Sequence, residues 1–335
     1  MNNIDTLKVQ FPTELSIFDV NQYNKTIKYY TEFKNESISY QLAPGNSFPG
    51  ISNILINQNN TVIEFSSKLI PDLYSEMINI NTVEKYFDAI NKTKLIQFNT
   101  PELISNCKVF RCDVTNNMPL NSDVCSYINL LSIFKLNNKF DCKHYINESV
   151  IFTYDAKEKY LKERLQIYNK YPELLKAENK EFIKKINPEE FKNILRFESR
   201  ISNLKLMRKS FNIKDTNLLS LLNSNTPVNS NLFNKVTDIS KHRIEEFKTL
   251  KILLEMKSKL KLSQIRNLQG DLAIIKTCNY DINIIKSLLK INSTANNSRY
   301  VRHYKELIHS VNDKNNSYSI DAKINEIKEY LKAAA

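Results

Sequence analysis

Ile194-Leu195-Arg196-Phe197-Glu198-Ser199-Arg200-Ile201 alternates apolar and polar side chains over most of its length. A period of two marks a β-strand with one face buried. It sets Leu195, Phe197 and Ile201 on one face and Arg196, Glu198 and Arg200 on the other. Two upstream segments repeat the pattern. Val109-Phe110-Arg111-Cys112-Asp113-Val114-Thr115 lies in a strand predicted over Lys108–Thr115 and aligns Arg111 with Asp113. Leu165-Gln166-Ile167-Tyr168-Asn169-Lys170 aligns Gln166 with Tyr168 at the end of a strand over Arg164–Tyr168. As sheet neighbours, these strands would gather two carboxylates, a tyrosine, a lysine and several arginines on one face. That chemistry suits a divalent cation and a phosphate.

The surrounding sequence reads as strands with helices inserted. Thr26–Phe33 and Ser37–Leu42 are short, aromatic and β-branched, and Ser52–Asn57 and Thr61–Ser66 flank a turn at Gln58-Asn59-Asn60. Val150–Tyr154 is predicted to pair with Arg164–Tyr168 around the charged connection Asp155–Glu163. Ile70–Met77, Asn81–Ile90 and Glu178–Ile186 have helical character, with Val83, Phe87 and Ile90 on one face, whereas Ser126–Leu136 fits either type. No regular βαβ beat occurs, so the expectation for residues 1–210 is α+β with an antiparallel sheet. Asn217–Asn234, rich in Asn and Ser and containing Pro227, reads as a linker or loop. Helices are predicted over Asp238–Lys261, Ser263–Ile275, Asp281–Ile291, Arg299–Val311 and Ser319–Leu331. Residues 211–332 are thus expected to form a basic all-α unit, with DNA binding and dimerisation as its candidate roles, although Leu262–Ile291 fits a helix-turn-helix only weakly. Ala333-Ala334-Ala335 reads as a cloning scar.

Composition narrows the function. A chain of 335 residues is about two domains. Its net charge of +12 is uneven: residues 1–150 hold 13 basic and 15 acidic side chains, and the rest hold 35 and 21. Such one-sided basicity is the footprint of a polyanion binder, most often nucleic acid. Only Gly45, Gly50 and Gly270 occur, which excludes a Rossmann fingerprint or Walker loop. No apolar run approaches the roughly 20 residues of a membrane span, and Met1–Gln10 lacks a secretory pattern. Five cysteines without a CxxC motif suggest neither a disulfide framework nor a zinc ribbon, and point to a reduced, cytoplasmic protein. Four histidines without HxH or HExxH leave carboxylates as the ligands of any metal, which would suit Mg²⁺ or Mn²⁺.

In order, Arg111-Cys112-Asp113-Val114, Ile167-Tyr168-Asn169-Lys170 and Arg196-Phe197-Glu198-Ser199-Arg200 resemble the motifs of rolling-circle plasmid replication initiators of the replication-initiation-factor type. They are also similar to those of filamentous-phage replication endonucleases. Val62-Ile63-Glu64-Phe65 is a weaker upstream match, and the resemblance covers roughly residues 50–210. It implies a metal-dependent enzyme that nicks and rejoins origin DNA. Tyr168 would attack the phosphodiester, forming a 5′-phosphotyrosine and leaving a free 3′-OH, with Glu198 and Lys170 assisting. Asp113, Glu198 and Glu64 would hold Mg²⁺ or Mn²⁺, and Arg111, Arg164, Arg196 and Arg200 would contact DNA phosphates. The partners implied are origin DNA, single-stranded or in a supercoiled cruciform, a host helicase, and in some members a second copy of the chain. Tyr171 and Tyr154 are alternative or second tyrosines. Two other readings stand beside this one: a non-catalytic DNA-binding protein, and a structural or interaction protein of an AT-rich phage or bacterium.

Overall fold

The computed structural model describes residues 2–30, 35–43, 45, 48–131, 140–145, 147–155, 162–237, 262–278, 281–289, 295–312 and 314–334. The predicted helix over Asp238–Lys261 lies outside the described residues. The chain is α+β and forms two compact units, the first made of Met1–Ser132, Leu136–Val236 and Ile327–Ala335. That unit therefore runs past the boundary drawn at residue 210.

Twelve strands are described: β1 Asn3–Pro12, β2 Ser16–Phe18, β3 Tyr23–Tyr30, β4 Asn35–Leu42, β5 Ile51–Asn57, β6 Asn60–Ser66, β7 Ile96–Phe98, β8 Lys108–Pro119, β9 Phe140–Tyr145, β10 Ser149–Asp155, β11 Lys162–Asn169 and β12 Ile194–Ile201. Ten of them make one antiparallel sheet in the order β3-β4-β5-β6-β1-β8-β12-β11-β10-β9. The β5–β6 hairpin and the β10–β11 pair form as their sequences predict. The N-terminal strand β1 lies in the middle of the sheet and joins its two halves. Its alternation is plain once sought: Leu7, Val9 and Phe11 are buried, and Lys8 and Gln10 are not.

The helices of the first unit that matter here are α1 Val83–Lys92, α2 Thr100–Asn106, α3 Val124–Leu131, α4 Lys170–Leu174, α5 Lys180–Ile183, α6 Leu204–Phe211, α7 Leu218–Leu222 and α8, residues 228–237. Val83, Tyr86, Phe87 and Ile90 of α1 pack on the sheet, with Phe65 and Phe87 edge-to-face at 5.5 Å. Leu206, Met207 and Phe211 of α6 and Leu218, Leu221 and Leu222 of α7 join the same core. The stretch Asn217–Asn234 is therefore not a linker. Asn217 caps α7 by accepting from Ser220 N, and Phe233 of α8 stacks edge-to-face on Phe197 at 5.9 Å. Ser126–Leu136, left open above, is helical as far as Leu131. Ile70–Met77, predicted as a helix, contains only a 3₁₀ turn over Pro71–Leu73, and Met77 has φ of 59°.

The second unit holds α9 Leu262–Thr277, α10 Ile282–Leu288, α11 Ala295–Asn312 and part of α12 Lys314–Ala333. Leu272, Ile275, Cys278, Ile285, Tyr304 and Leu307 form its core. Asp281 caps α10, accepting from Asn283 N at 2.7 Å. Among the described residues, no helix is long and apolar enough to cross a membrane.

Gly50 is the glycine that the fold requires. Its φ is 88°, and a Cβ there would lie 2.4 Å from the backbone nitrogen of Leu69. A left-handed conformation costs an L-residue about 1–3 kcal/mol before any overlap is counted. Gly50→Ala should therefore lower unfolding stability in urea by at least about 1–3 kcal/mol. Gly45→Ala, with nothing within 4 Å of the new Cβ, should stay within about 0.5 kcal/mol of the parent. Equal stabilities for the two variants would refute the requirement at Gly50.

Candidate active site

The polar face of the sheet carries an unbroken chain of charged contacts across five strands. Lys8 on β1 lies 3.7 Å from Glu64 on β6, with which it is in register. Arg111 on β8 donates to Glu64 at 2.7 Å and grips Asp113 with two nitrogens, at 3.1 and 2.6 Å. Arg200 on β12 is in register with Asp113 and lies 3.3 Å from it, and 4.0 Å from Glu198. Glu198 accepts a hydrogen bond from the Tyr168 phenol of β11 at 3.0 Å. The faces read from the alternation of the three motifs are the faces observed, and they bring Glu64, Arg111, Asp113, Arg200, Glu198 and Tyr168 together.

This chain of contacts ends in a buried polar nest. Tyr168 is only 6% exposed and sits in register with Arg196, which is wholly buried. The Nε of Arg196 donates to Asn117 at 2.7 Å, and its Nη1 lies 3.6 Å from Asp5. Among the described residues, neither terminal nitrogen of Arg196 has a hydrogen-bond partner. Asp5 owes its position to a β-bulge between Ile4 and Thr6, which takes it out of register with β8. There it also accepts a hydrogen bond from Ser67. Lys170, the first residue of α4, is buried, pairs with Glu173, and lies over the rings of Tyr74 at 5.4 Å and Tyr168 at 5.7 Å. Tyr74, Leu174, Phe182 and Phe191 roof this end of the face.

Burial and charge tune the groups in opposite senses. Burial, reinforced by Glu198, pushes the Tyr168 phenol well above its usual range. Burial, with Asp5 and Asp113 nearby, raises the Glu198 carboxyl. Burial would raise Asp5 too, but Arg196 and Lys170 outweigh it and hold the carboxyl low. The Lys170 ammonium is pulled down to about 8 by burial and by Arg196, despite Glu173.

Arg164 is in register with Arg200, and its guanidinium donates to Gln166 at 2.7 Å. Tyr171 stands apart, bound to Glu189 at 2.8 Å, and the side chain of Tyr154 lies outside the described residues. Sequence reasoning missed Asp5, Lys8, Tyr74, Asn117 and Glu173. The alternation of β1 marks Lys8, but no local pattern marks Asp5 or Tyr74.

A carboxylate-held cation needs free oxygens converging on one point. Here Glu64 and Asp113 are occupied by Arg111, and Glu198 by the phenol. Among the described residues, no group of three or more His, Cys, Asp or Glu is placed to hold a metal ion. The residues in this arrangement do not fit a Mg²⁺ or Mn²⁺ site. In comparisons with known proteins, no family model, curated protein or solved structure matches the chain.

The lowered Lys170 gives a signed pH dependence. Between about 8 and the ordinary value of 10.5, the unfolded chain binds a proton that the folded chain does not. Folding stability from this group should therefore rise with pH through that window and be flat below it. In urea melts between pH 7 and 10.5, the stability of the parent relative to Lys170→Met should rise with pH through that window. A slope unchanged by the substitution would refute the assignment.

Proposed function

We propose that the protein is a nicking-joining enzyme of DNA, with Tyr168 as nucleophile and Glu198 as its base. The observation that carries this reading is the 3.0 Å hydrogen bond from the Tyr168 phenol to Glu198, with Arg200 and Arg111 on the open side of the pair. A phenol held protonated needs a base of raised affinity beside it, and Glu198 is such a group. A backbone phosphate entering beside Arg200 and Arg111 would compete with Asp113 for their donors. The Tyr168 oxygen then bonds to phosphorus as its proton passes to Glu198. The bond from phosphorus to the 3′-oxygen breaks, and that oxygen takes up a proton to leave a 3′-OH. The phosphotyrosine stores the bond energy, so the reverse steps rejoin the strand without a nucleotide cofactor. Arg196, being fully buried, serves in this reading to hold the phenol and Asp5 in place rather than to touch DNA.

Burial favours a second reading. Tyr168 is almost closed from solvent, and a DNA-binding protein with no cleavage step would use the same arginines.

The test is incubation with supercoiled and single-stranded DNA carrying the gene and its flanks, with Mn²⁺ or with EDTA, followed by a denaturing gel. A covalent protein–DNA adduct is expected, absent in Tyr168→Phe and formed about 10²–10⁴-fold more slowly in Glu198→Gln. DNA binding that falls steeply with salt, with no adduct under either condition, would establish the second reading instead.

A further inference from the structure

The charges on the polar face of the sheet are layered by height. Its acids are sunk: the side chains of Asp113, Glu198 and Glu64 are only 3%, 13% and 16% exposed. The cations paired with them stand higher, Arg111 at 22%, Lys8 at 37% and Arg200 at 41%. Three acids and three cations cancel by formal count, yet the charge that meets solvent is positive. A polyanion approaching this face encounters the cations first.

The strand register carries the same face outward to the edge strand β9. Glu198 lies opposite Gln166, Gln166 opposite Ile151, and Ile151 opposite Lys143, so these side chains share one side of the sheet. By the same pairing, Tyr145 on β9 stands in line with Ser149 and Tyr168. Lys143 is exposed, and Asp141 is the acid on this face at the edge. Tyr145 is 51% exposed. Among the described residues, it is the one large apolar or aromatic side chain that the ten-stranded sheet leaves exposed. Strand β9 is three strand spacings from β12, about 14 Å. A row of cations ending at an open ring fits an unpaired strand. Each of its nucleotides offers a phosphate to a cation and a free base face to an aromatic ring. A duplex, whose bases are already stacked, offers this face its phosphates alone.

We propose that single-stranded DNA lies across this face from Lys8, Arg111 and Arg200 toward β9, with one base stacked on Tyr145 and a flanking phosphate on Lys143. Tyr145 and Lys143 are thereby positioning residues, which hold the strand at the edge of the sheet and touch no reacting atom. The assignment rests on the polar face being the DNA-binding face, which the nicking reading and the non-catalytic reading share, and not on cleavage.

The probes are fluorescein-labelled dT and dA 12-mers and the duplex they form, followed by anisotropy across a salt series. Tyr145→Ala should weaken binding of both single strands by at least about fivefold and leave the duplex unaffected. Tyr145→Phe, which keeps the ring, should bind as the parent does. Lys143→Ala should reduce the salt slope for the single strands by about 0.7, the value for one phosphate contact. Single-strand affinity unchanged in Tyr145→Ala, or duplex affinity lost in equal measure, would overturn the stacking assignment. No measurable single-strand binding by the parent would overturn the whole proposal. The adduct assay reads the other hypothesis separately. Single-strand binding that depends on Tyr145, with no adduct formed by the parent, would leave this proposal standing and end the nicking reading. An adduct formed by the parent, with single-strand affinity indifferent to Tyr145, would do the reverse.

Discussion

A guanidinium sealed inside the sheet's polar side constrains everything around it. Arg196 is wholly buried, and a charge so placed is tolerated only where opposite charge and hydrogen bonds surround it. Asp5 at 3.6 Å, Asn117 at 2.7 Å and the ring of Tyr74 at 5.7 Å meet that requirement from three separate parts of the chain. Each partner has its own structural condition: a bulge in β1 for Asp5, a long β8 that reaches Asn117, and the turn after Pro71 for Tyr74. Removing the carboxylate would leave the charge uncompensated, which costs more than the pair contributes when intact.

The same constraint sets the character of the tyrosine. Tyr168 is opposite Arg196 in the β11–β12 register, so a ring placed there is enclosed with the arginine. Enclosure makes the phenol reluctant to ionise and makes Glu198 reluctant to stay ionised. Their hydrogen bond is the form in which both tendencies are satisfied. Toward Arg200 the face opens, and Arg200 has 41% of its side chain exposed. The enclosed phenol and the exposed guanidinium therefore lie at different points along one line of contacts, linked through Glu198.

How much of this was legible depends on whether the information was local. The alternation placed Arg111 with Asp113, Gln166 with Tyr168, and Arg196 with Glu198 and Arg200 as observed, because a strand's period is a property of adjacent residues, whereas a bulge beside Val109 turns that residue to the core, against the strict alternation. That those strands neighbour each other stood as a condition of the reading, and the sheet order β8-β12-β11 meets it. The place of β1 was not legible, since pairing with both β6 and β8 joins residues 48 to 112 positions apart. Asp5 and its bulge follow from that pairing and were hidden with it. Asn217–Asn234 misled for a different reason. Asn and Pro mark loops, but they also start helices: Asn203 and Asn217 cap α6 and α7, and Pro227 directly precedes α8. Leu218, Leu221 and Leu222, at helical spacing, were the contrary signal.

Lysine is the default cation of this chain, and the positions taken by arginine show where a point charge would not serve. Arg111 satisfies two carboxylates on two strands with three nitrogens, two on Asp113 and one on Glu64. A lysine has one nitrogen to offer and could not bridge them in fixed directions. Arg164 and Arg200 stand opposite each other in the β11–β12 register, the one donating to Gln166 and the other placed between Asp113 and Glu198. Arg196 must remain charged though buried; burial would lower its pKa, but the neighbouring carboxyl groups, Asp5 above all, help to hold it above the ordinary value. Lys170, enclosed in the same nest, falls instead to about 8. The contrast fits the division of work along the face. Arginine fixes the permanent positive positions, and the lysine beside the tyrosine is the cation whose charge can change near neutral pH.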